Sequence, residues 1–420
     1  MIDIDTTSFL VIVSVAAIAA LLVTVVPRAF APPVVVVELL LGIVIGPQVL
    51  DLAQSDDFIN FFSNLGLGML FFFAGYEIDF ARIRGKPITL GAWGWLLSLA
   101  LAYGIGGVLA AVGVVLSFLY TGSALATTAM GTLIPVLRDT GELRSRFGTF
   151  LLAAGAAGEF GPILLVTLVL STAHPLHEAA ILIAFVALAL VLGVASVRYA
   201  WRGLPVLERT VEASSQLAVR IAVLLVFSLL ALAEDLGLDI LLGGFVAGMI
   251  TRAALRGREL TAFESKLTAV GFGFLIPFFF VESGISFDLD ALGSASALLK
   301  LIMFFGLFLV IRGAPAMLMY VRTLDLRDRA ALAFFCATEL PLVVAITTLA
   351  TEGGHMRTST AAGLVGAAML STLVYPFIGL ALRKGAPDRA GGESEPDPGT
   401  EPERATEPGT GLAQPRRASP

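Results

Sequence analysis

The stretch Leu151-Leu-Ala-Ala-Gly-Ala-Ala-Gly158-Glu159-Phe160-Gly161-Pro162-Ile163-Leu164-Leu165-Val166 sets one carboxylate in an otherwise apolar run rich in small residues. With its flanks, from about Thr149 to Thr172, it is long enough to cross a bilayer, since roughly 20 residues at 1.5 Å each span about 30 Å of hydrocarbon. Glu159 falls near the middle, and the Gly and Ala around it let a neighbouring backbone approach closely. A charge at that depth costs several kcal/mol unless it faces a wet cavity or a partner. Intramembrane carboxylates point to ion or proton sites; the plainer reading is a structural carboxyl that locks two helices together.

Hydrophobic residues make up 57% of the 420 and charged ones only 14%. An ordinary soluble domain is less apolar, so the expected fold class is an all-α polytopic membrane protein. The net charge of -6 says little about partners and does not suggest nucleic acid. The single cysteine, Cys336, sits in an apolar run and excludes a disulfide scaffold or a Cys-based metal cluster. His174, His177 and His355 fall in expected loops with no metal-site spacing, so no metal and no cofactor is expected. The acidic start Met1-Ile-Asp-Ile-Asp5 lacks the basic n-region of a signal peptide, and the first apolar run reads as a retained helix.

Hydropathy predicts about thirteen transmembrane helices, near residues 8–26, 34–49, 60–76, 90–118, 122–137, 149–172, 178–197, 216–233, 237–251, 267–284, 297–321, 330–350 and 359–382. Loops after the odd-numbered spans carry the arginines and lysines, among them Arg28, Arg82, Arg84, Lys86, Arg138, Arg144, Arg146, Arg202, Arg256 and Arg327. The alternate loops are acidic (Asp51, Asp56, Asp57, Glu234, Asp235, Asp239), with Lys300 and Arg357 as exceptions. Positive charge marks the cytoplasmic side, so the N-terminus is expected outside and the C-terminus in the cytoplasm. Residues 385–420 are rich in Pro, Gly, Glu and Arg and read as a disordered cytoplasmic tail. Residues 1–384 form the transmembrane domain.

An internal repeat is the most informative pattern. Met69-Leu-Phe-Phe-Phe-Ala-Gly75-Tyr-Glu-Ile-Asp79 aligns with Phe278-Phe-Phe-Val-Glu-Ser-Gly284-Ile-Ser-Phe-Asp288, Gly75 on Gly284 and Asp79 on Asp288, at an offset of 209 residues. At nearly the same offset Ala126-Thr127-Thr128 falls opposite Ala337-Thr338-Glu339, and Gly42 and Gly46 echo Gly244 and Gly248. Repeat one then covers about 8–172 and repeat two about 216–382. The linking helix 178–197 inverts the second copy, an arrangement common in secondary transporters.

The fifth and twelfth spans are each interrupted by Thr and Pro (Thr127, Thr128 and Pro135; Thr338 and Pro341), with Gly131 adding to the first break. Unwound helices at matched places in two repeats expose carbonyls and helix ends where they cross. Four ionisable groups lie deep in spans: Glu38, Glu159, Arg312 and Glu339. Arg312 is always charged and is expected to pair with a carboxylate, Glu159 or Glu339, the sequence leaving both open. A cation or proton would compete with the arginine for the same oxygens, which is the minimal mechanism of antiport. Glu38 reads equally as a structural group. Glu77, Asp79, Glu282 and Asp288 fall at span ends and are expected to be solvated or at helix termini.

Glu38-Leu-Leu-Leu-Gly-Ile-Val-Ile-Gly-Pro47, Leu70-Phe-Phe-Phe-Ala-Gly75, Gly243-Gly-Phe-Val-Ala-Gly248 and Pro277-Phe-Phe-Phe-Val-Glu-Ser-Gly284 resemble, in that order, signatures of the monovalent cation:proton antiporter family, in its Kef-type branch. The resemblance covers residues 8–383. It implies the sodium/proton antiporter fold, with a core of crossed broken helices, a scaffold that dimerises and elevator-like exchange of Na⁺ or K⁺ for protons at the cytoplasmic membrane. By position, Thr127 and Thr128 fall at the first crossing, Glu159 at the ion-binding carboxylate, Arg312 at the core basic residue, and Thr338 and Glu339 at the second crossing. One departure stands out: Gly158-Glu159 replaces the family's usual polar residue followed by aspartate. A single carboxylate makes one-for-one electroneutral exchange the simpler expectation. The alternatives are an organic-anion symporter on a related fold and a transport-inactive sensor. An intramembrane enzyme is disfavoured, because no His/Cys/Asp cluster or Ser-His pairing falls at mid-depth.

Overall fold

A computed structural model of the chain describes residues 5–26, 32–78, 83–169, 216–236, 240–255 and 261–383, with scattered positions between 184 and 191. In chain order the helices are α1 (Thr6–Val25), α2 (Val34–Ile45), α3 (Asp57–Glu77), α4 (Lys86–Ala111), α5 (Phe118–Leu125), α6 (Met130–Asp139), α7 (Arg146–Val169), α8 (Leu217–Asp235), α9 (Ile240–Ala254), α10 (Thr261–Val270), α11 (Ile276–Ile285), α12 (Ala295–Met319), α13 (Leu326–Cys336), α14 (Pro341–Glu352) and α15 (Thr358–Arg383). Their starts follow ordinary capping chemistry. Asp5 accepts the Thr7 and Ser8 amides, Asp56 that of Ile59, Ser294 that of Ala297 and Asp325 that of Asp328.

Among the described residues nine helical stretches are long and apolar enough to cross a membrane, and Val34–Ile45 and Leu241–Ala254 are shorter apolar helices. The expected span 122–137 is broken into α5 and α6. The expected linking helix 178–197 lies largely outside the described residues, and the tail call for 385–420 falls wholly outside them.

The helices pack in two groups. One holds α1, α2, α3, α8, α9 and α11; the other holds α4, α5, α7, α12, α13, α14 and α15, with α6 packed on α7. Contacts between the groups are thin and run through α7 on α9, α3 on α6 and α2 on α15. One of them is the stacking of Phe160 on Phe245, centroids 5.2 Å apart.

The repeat explains the first group. The second helix of each repeat lies on the third helix of the other, α2 on α11 and α9 on α3. Both pairs close through glycine because the backbones touch. A Cβ at Gly42 would stand 2.2 Å from the Val281 carbonyl oxygen and one at Gly284 2.2 Å from that of Leu39. In the other pair a Cβ at Gly75 or Gly248 would stand 2.0 Å from the carbonyl of Phe245 or Phe72. Gly75 and Gly284, aligned in sequence, make matched contacts. Gly42 corresponds in contact to Gly248 and not to Gly244, so the expected register of that pair is corrected by four residues.

The second group holds the two broken helices. The first break spans Ala126–Ala129, between α5 and α6, and the second spans Ala337–Leu340, between α13 and α14. Proline does not act alike in the two. Pro341 is the first residue of α14 and suits that place, where a helix needs no N–H. Gly131 and Pro135 lie inside α6, beyond the break, so the expectation that they interrupt the helix is corrected. The interruption comes earlier, where the Thr127 and Thr128 hydroxyls find partners across the crossing.

Candidate functional site

The breaks cross and bond to each other. The Ala129 amide donates to the Thr338 carbonyl at 2.8 Å. Thr127 Oγ1 lies 2.6 Å from Glu339 Oε2, and Thr128 Oγ1 donates to the Cys336 carbonyl at 2.7 Å. Polar backbone freed by unwinding would cost several kcal/mol per group in hydrocarbon, and these bonds remove much of that cost. A residue outside both breaks completes the job. Trp95 Nε1 on α4 donates to the Ala126 carbonyl at 3.1 Å, and its ring fills the notch left by Gly161 of α7.

Glu339 is held by its backbone as well as its side chain. Its amide donates to Ser371 Oγ at 3.0 Å, and its carbonyl accepts from Ser371 and Thr372 hydroxyls of α15 at 3.1 and 3.0 Å. Its Oε1 is buried with no hydrogen-bond partner among the described residues. Thr338, by contrast, turns its hydroxyl back to the Phe334 carbonyl at 3.2 Å and offers the crossing only its own carbonyl.

Arg312 departs from expectation. The residue is 4% exposed, yet among the described residues its hydrogen bonds go to neutral groups. Nη2 and Nε donate to Thr128 Oγ1 at 2.6 and 3.0 Å, Nη1 to Ser98 Oγ at 3.1 Å, and weaker contacts reach the Ala154 and Cys336 carbonyls at 3.4 Å. The expected ion pair with Glu159 or Glu339 is not made. Of the five N–H donors in its fixed fork, four are taken by hydroxyls and carbonyls, Nη1 making one bond only.

Glu159 therefore stays available. It is 6% exposed, and its Oε2 is buried without a hydrogen-bond partner among the described residues. The Gly131 backbone, in the first turn of α6, bonds toward its carboxyl group. Glu159 lines a small cavity of about 10 Å³, room for about one water, with Ala74, Glu77, Met130, Ile134 and Leu152, between the two helix groups. Glu77 is the residue that sequence reasoning missed. It was expected to be solvated or at a helix terminus; it does end α3, and it also shares the Glu159 cavity. Its place after Gly75, where α3 lies tight on α9, was the available signal. Glu38 is buried on α2, in the other helix group, and lines neither this cavity nor the larger one described next.

The larger cavity, about 800 Å³, opens at the opposite end of α3. Its wall combines Asn60, Ser63, Glu282 and Asp288 of one group with Thr347, Thr351 and Glu352 of the other, and it reaches down to Val344, one turn from Pro341. Among the described residues no group of three His, Cys, Asp or Glu is assembled.

Crossed broken helices, a buried carboxylate with one oxygen unpartnered among the described residues, and cavities toward opposite ends form one arrangement. The family model described as "Sodium/hydrogen exchanger, transmembrane" matches residues 13–382. The chain belongs to the sodium/hydrogen exchanger family. It is 28% identical over 273 residues to the Na(+)/H(+)-K(+) antiporter GerN of Bacillus cereus, covering 62% of this chain and 67% of that one. It is 26% identical over 364 residues to YjbQ of Bacillus subtilis, covering 82% of this chain and 58% of that protein's length. In fold it matches the sodium proton antiporter MjNhaP1 of Methanocaldococcus jannaschii, with a TM-score of 0.56 at 16% identity, over 89% of this chain and 99% of the other.

Proposed function

We propose that the chain exchanges a monovalent cation, Na⁺ or K⁺, for protons across the cytoplasmic membrane, and that Glu159 is the group on which cation and proton compete. The observation that carries this reading is the Glu159 carboxylate, buried with a partnerless oxygen on the wall of a cavity between two thinly joined helix groups. A carboxylate so placed is stable only with a proton or a cation on it. Binding either leaves the same charge, so one-for-one exchange is electroneutral. Glu77 stands on the same cavity and is suited to supply a further oxygen to the cation. Arg312 keeps a fixed positive charge in the core without consuming either carboxylate.

Alternating access follows from the partition. The second group is knitted through the crossing, the Arg312 bonds and α15, and it carries Glu159 as one body. Sliding it along the other group would expose Glu159 first to one cavity and then to the other. The four sequence motifs support the Kef-type branch within the family. The charge pattern supports an N-terminus outside and a C-terminus in the cytoplasm, and the family resemblance supports a homodimer in the lipid bilayer.

The test uses reconstituted vesicles with a trapped pH dye and Na⁺, K⁺ or Li⁺ added outside. Wild type is expected to move protons against at least one cation, and Glu159→Gln to be silent. Exchange by Glu159→Gln at the wild-type rate would overturn the site. A wild type silent toward every monovalent cation would overturn antiport.

A further inference from the structure

The two ends of α15 carry charge in opposite ways. At the C-terminus Arg383 pairs with Glu142 and Asp328, so two carboxylates meet its charge. At the N-terminus stand Lys300 and Arg357, the two basic residues that break the acidic pattern of their side. Among the described residues neither forms an ion pair. Lys300 is placed by close backbone packing, since a Cβ at Gly363 of α15 would stand 3.2 Å from its own Cβ. Its ammonium donates to Ser359 Oγ at 3.2 Å and to Thr360 Oγ1 at 3.0 Å, in the first turn of α15. Arg357, one residue before that turn, donates from Nη1 to the Gly113 carbonyl between α4 and α5 at 3.1 Å. One of three ammonium donors and four of five guanidinium donors are left without an acceptor among the described residues. The two charges lie close enough to repel each other, and the positive end of the α15 dipole adds to both.

Repelling cations with spare donors are relieved by an anion, and their surroundings say which kind. Lys300 is the sixth residue of α12, and the side chains turned outward around it are apolar. Leu298, Leu299 and Ile302 on α12 are exposed, as are Val108 and Val112 near the end of α4, which packs on α12. An anion that also covers hydrocarbon is a lipid with a charged headgroup. We propose that Lys300 and Arg357, with the Ser359 hydroxyl beside them, bind the phosphate of an anionic phospholipid whose acyl chains lie on the exposed apolar faces of α12 and α4. The phosphate takes the spare donors of both cations and neutralises the charge at the start of α15. The site joins α12, α15 and the turn after α4, all in the second helix group, so the bound lipid braces that group at its end.

The test titrates the full chain in neutral detergent with phosphatidylglycerol and, separately, with phosphatidylcholine. Bound lipid is counted by native mass spectrometry and the thermal midpoint is followed alongside. Wild type is expected to hold one phosphatidylglycerol that phosphatidylcholine does not displace, and its midpoint should rise as that lipid binds. Arg357→Gln removes an exposed charge and should weaken the binding about fivefold, the worth of one basic residue at an anionic headgroup. Lys300→Gln keeps an amide to donate to Ser359 and Thr360 and should weaken it about as much, and the two together roughly thirtyfold. Arg322→Gln, beyond the other end of α12 and equally exposed, should leave it unchanged. If Lys300→Gln does not fold, Arg357→Gln carries the test alone. Wild-type binding of phosphatidylglycerol in the folded variants overturns the proposal, and so does an equal loss in Arg322→Gln. Displacement of the lipid by inorganic phosphate at matching concentration overturns it too, and would assign the two cations to a free anion.

Discussion

In the first break Thr127 and Thr128 send their hydroxyls across the crossing, to within 2.6 Å of Glu339 Oε2 and 2.7 Å of the Cys336 carbonyl. In the second, Thr338 folds its hydroxyl back onto the Phe334 carbonyl of its own helix at 3.2 Å. The breaks occupy matched places in the two repeats, and both begin at an alanine followed by threonine. Their backbones are alike, and their chemistry is divided. One supplies hydroxyl donors and the seat for Arg312; the other supplies a carboxylate anchored by α15. The frame is shared by the two breaks, and a few side chains make the crossing asymmetric.

The division makes the first break the more sensitive. Thr128→Val keeps the branched shape but removes the bond to the Cys336 carbonyl and the acceptor of two Arg312 bonds. A buried charge losing its acceptor costs about 1.5–3 kcal/mol per bond. The variant is expected to lose roughly 3 kcal/mol of stability, read as a lowered thermal midpoint in detergent, and to need more cation for exchange. A neutral outcome would mean that the two breaks are interchangeable after all.

A smaller effect is expected on the other side. Glu339 lines neither cavity, and in Glu339→Gln the amide oxygen still accepts from Thr127. The variant should keep cation-driven proton movement and lose about 1 kcal/mol, because its NH₂ group is buried where Glu339 Oε1 finds no partner. Loss of exchange in Glu339→Gln, with a normal thermal midpoint, would show that both breaks carry ions and would erase the division.

Much of the frame was legible because it depends on patterns that a bilayer imposes. Apolar runs and glycines where backbones touch are dictated by hydrocarbon and by close packing. Gly75 and Gly284 therefore appear in sequence and in contact alike, while the counterpart of Gly42 proves to be Gly248, one turn beyond the aligned Gly244. Glu159 was legible for the same reason, as a charge where charges are expensive. The partners of Arg312 were not. Sequence displays charges plainly but does not show which serine or threonine hydroxyl stands near, and the guanidinium is satisfied by Thr128 and Ser98, on two different elements. Trp95 was hidden similarly, since the carbonyl it caps lies 31 residues away and is free only because the helix breaks there. Glu77 was rightly placed at a helix end, but hydropathy locates a span's end and not the cavity beside it.

The smallest predicted effect gives the cleanest contrast, because it concerns the residue matched to the most sensitive pair. At the end of α13 the Thr338 amide bonds to the Phe335 carbonyl at 3.2 Å instead of continuing the helix. The Phe334 carbonyl is left to the Thr338 hydroxyl. Thr338 therefore acts as a local cap on its own helix. Thr338→Val should cost about 1 kcal/mol, the usual net worth of one neutral hydrogen bond. Half-saturation for the cation should stay at the wild-type value, because the link to the other break is made by the Thr338 carbonyl, which valine retains. A shift in half-saturation as large as that of Thr128→Val would place the Thr338 hydroxyl among the ion ligands. In that case the crossing would rearrange during transport, with the threonine turning from its own helix toward the ion.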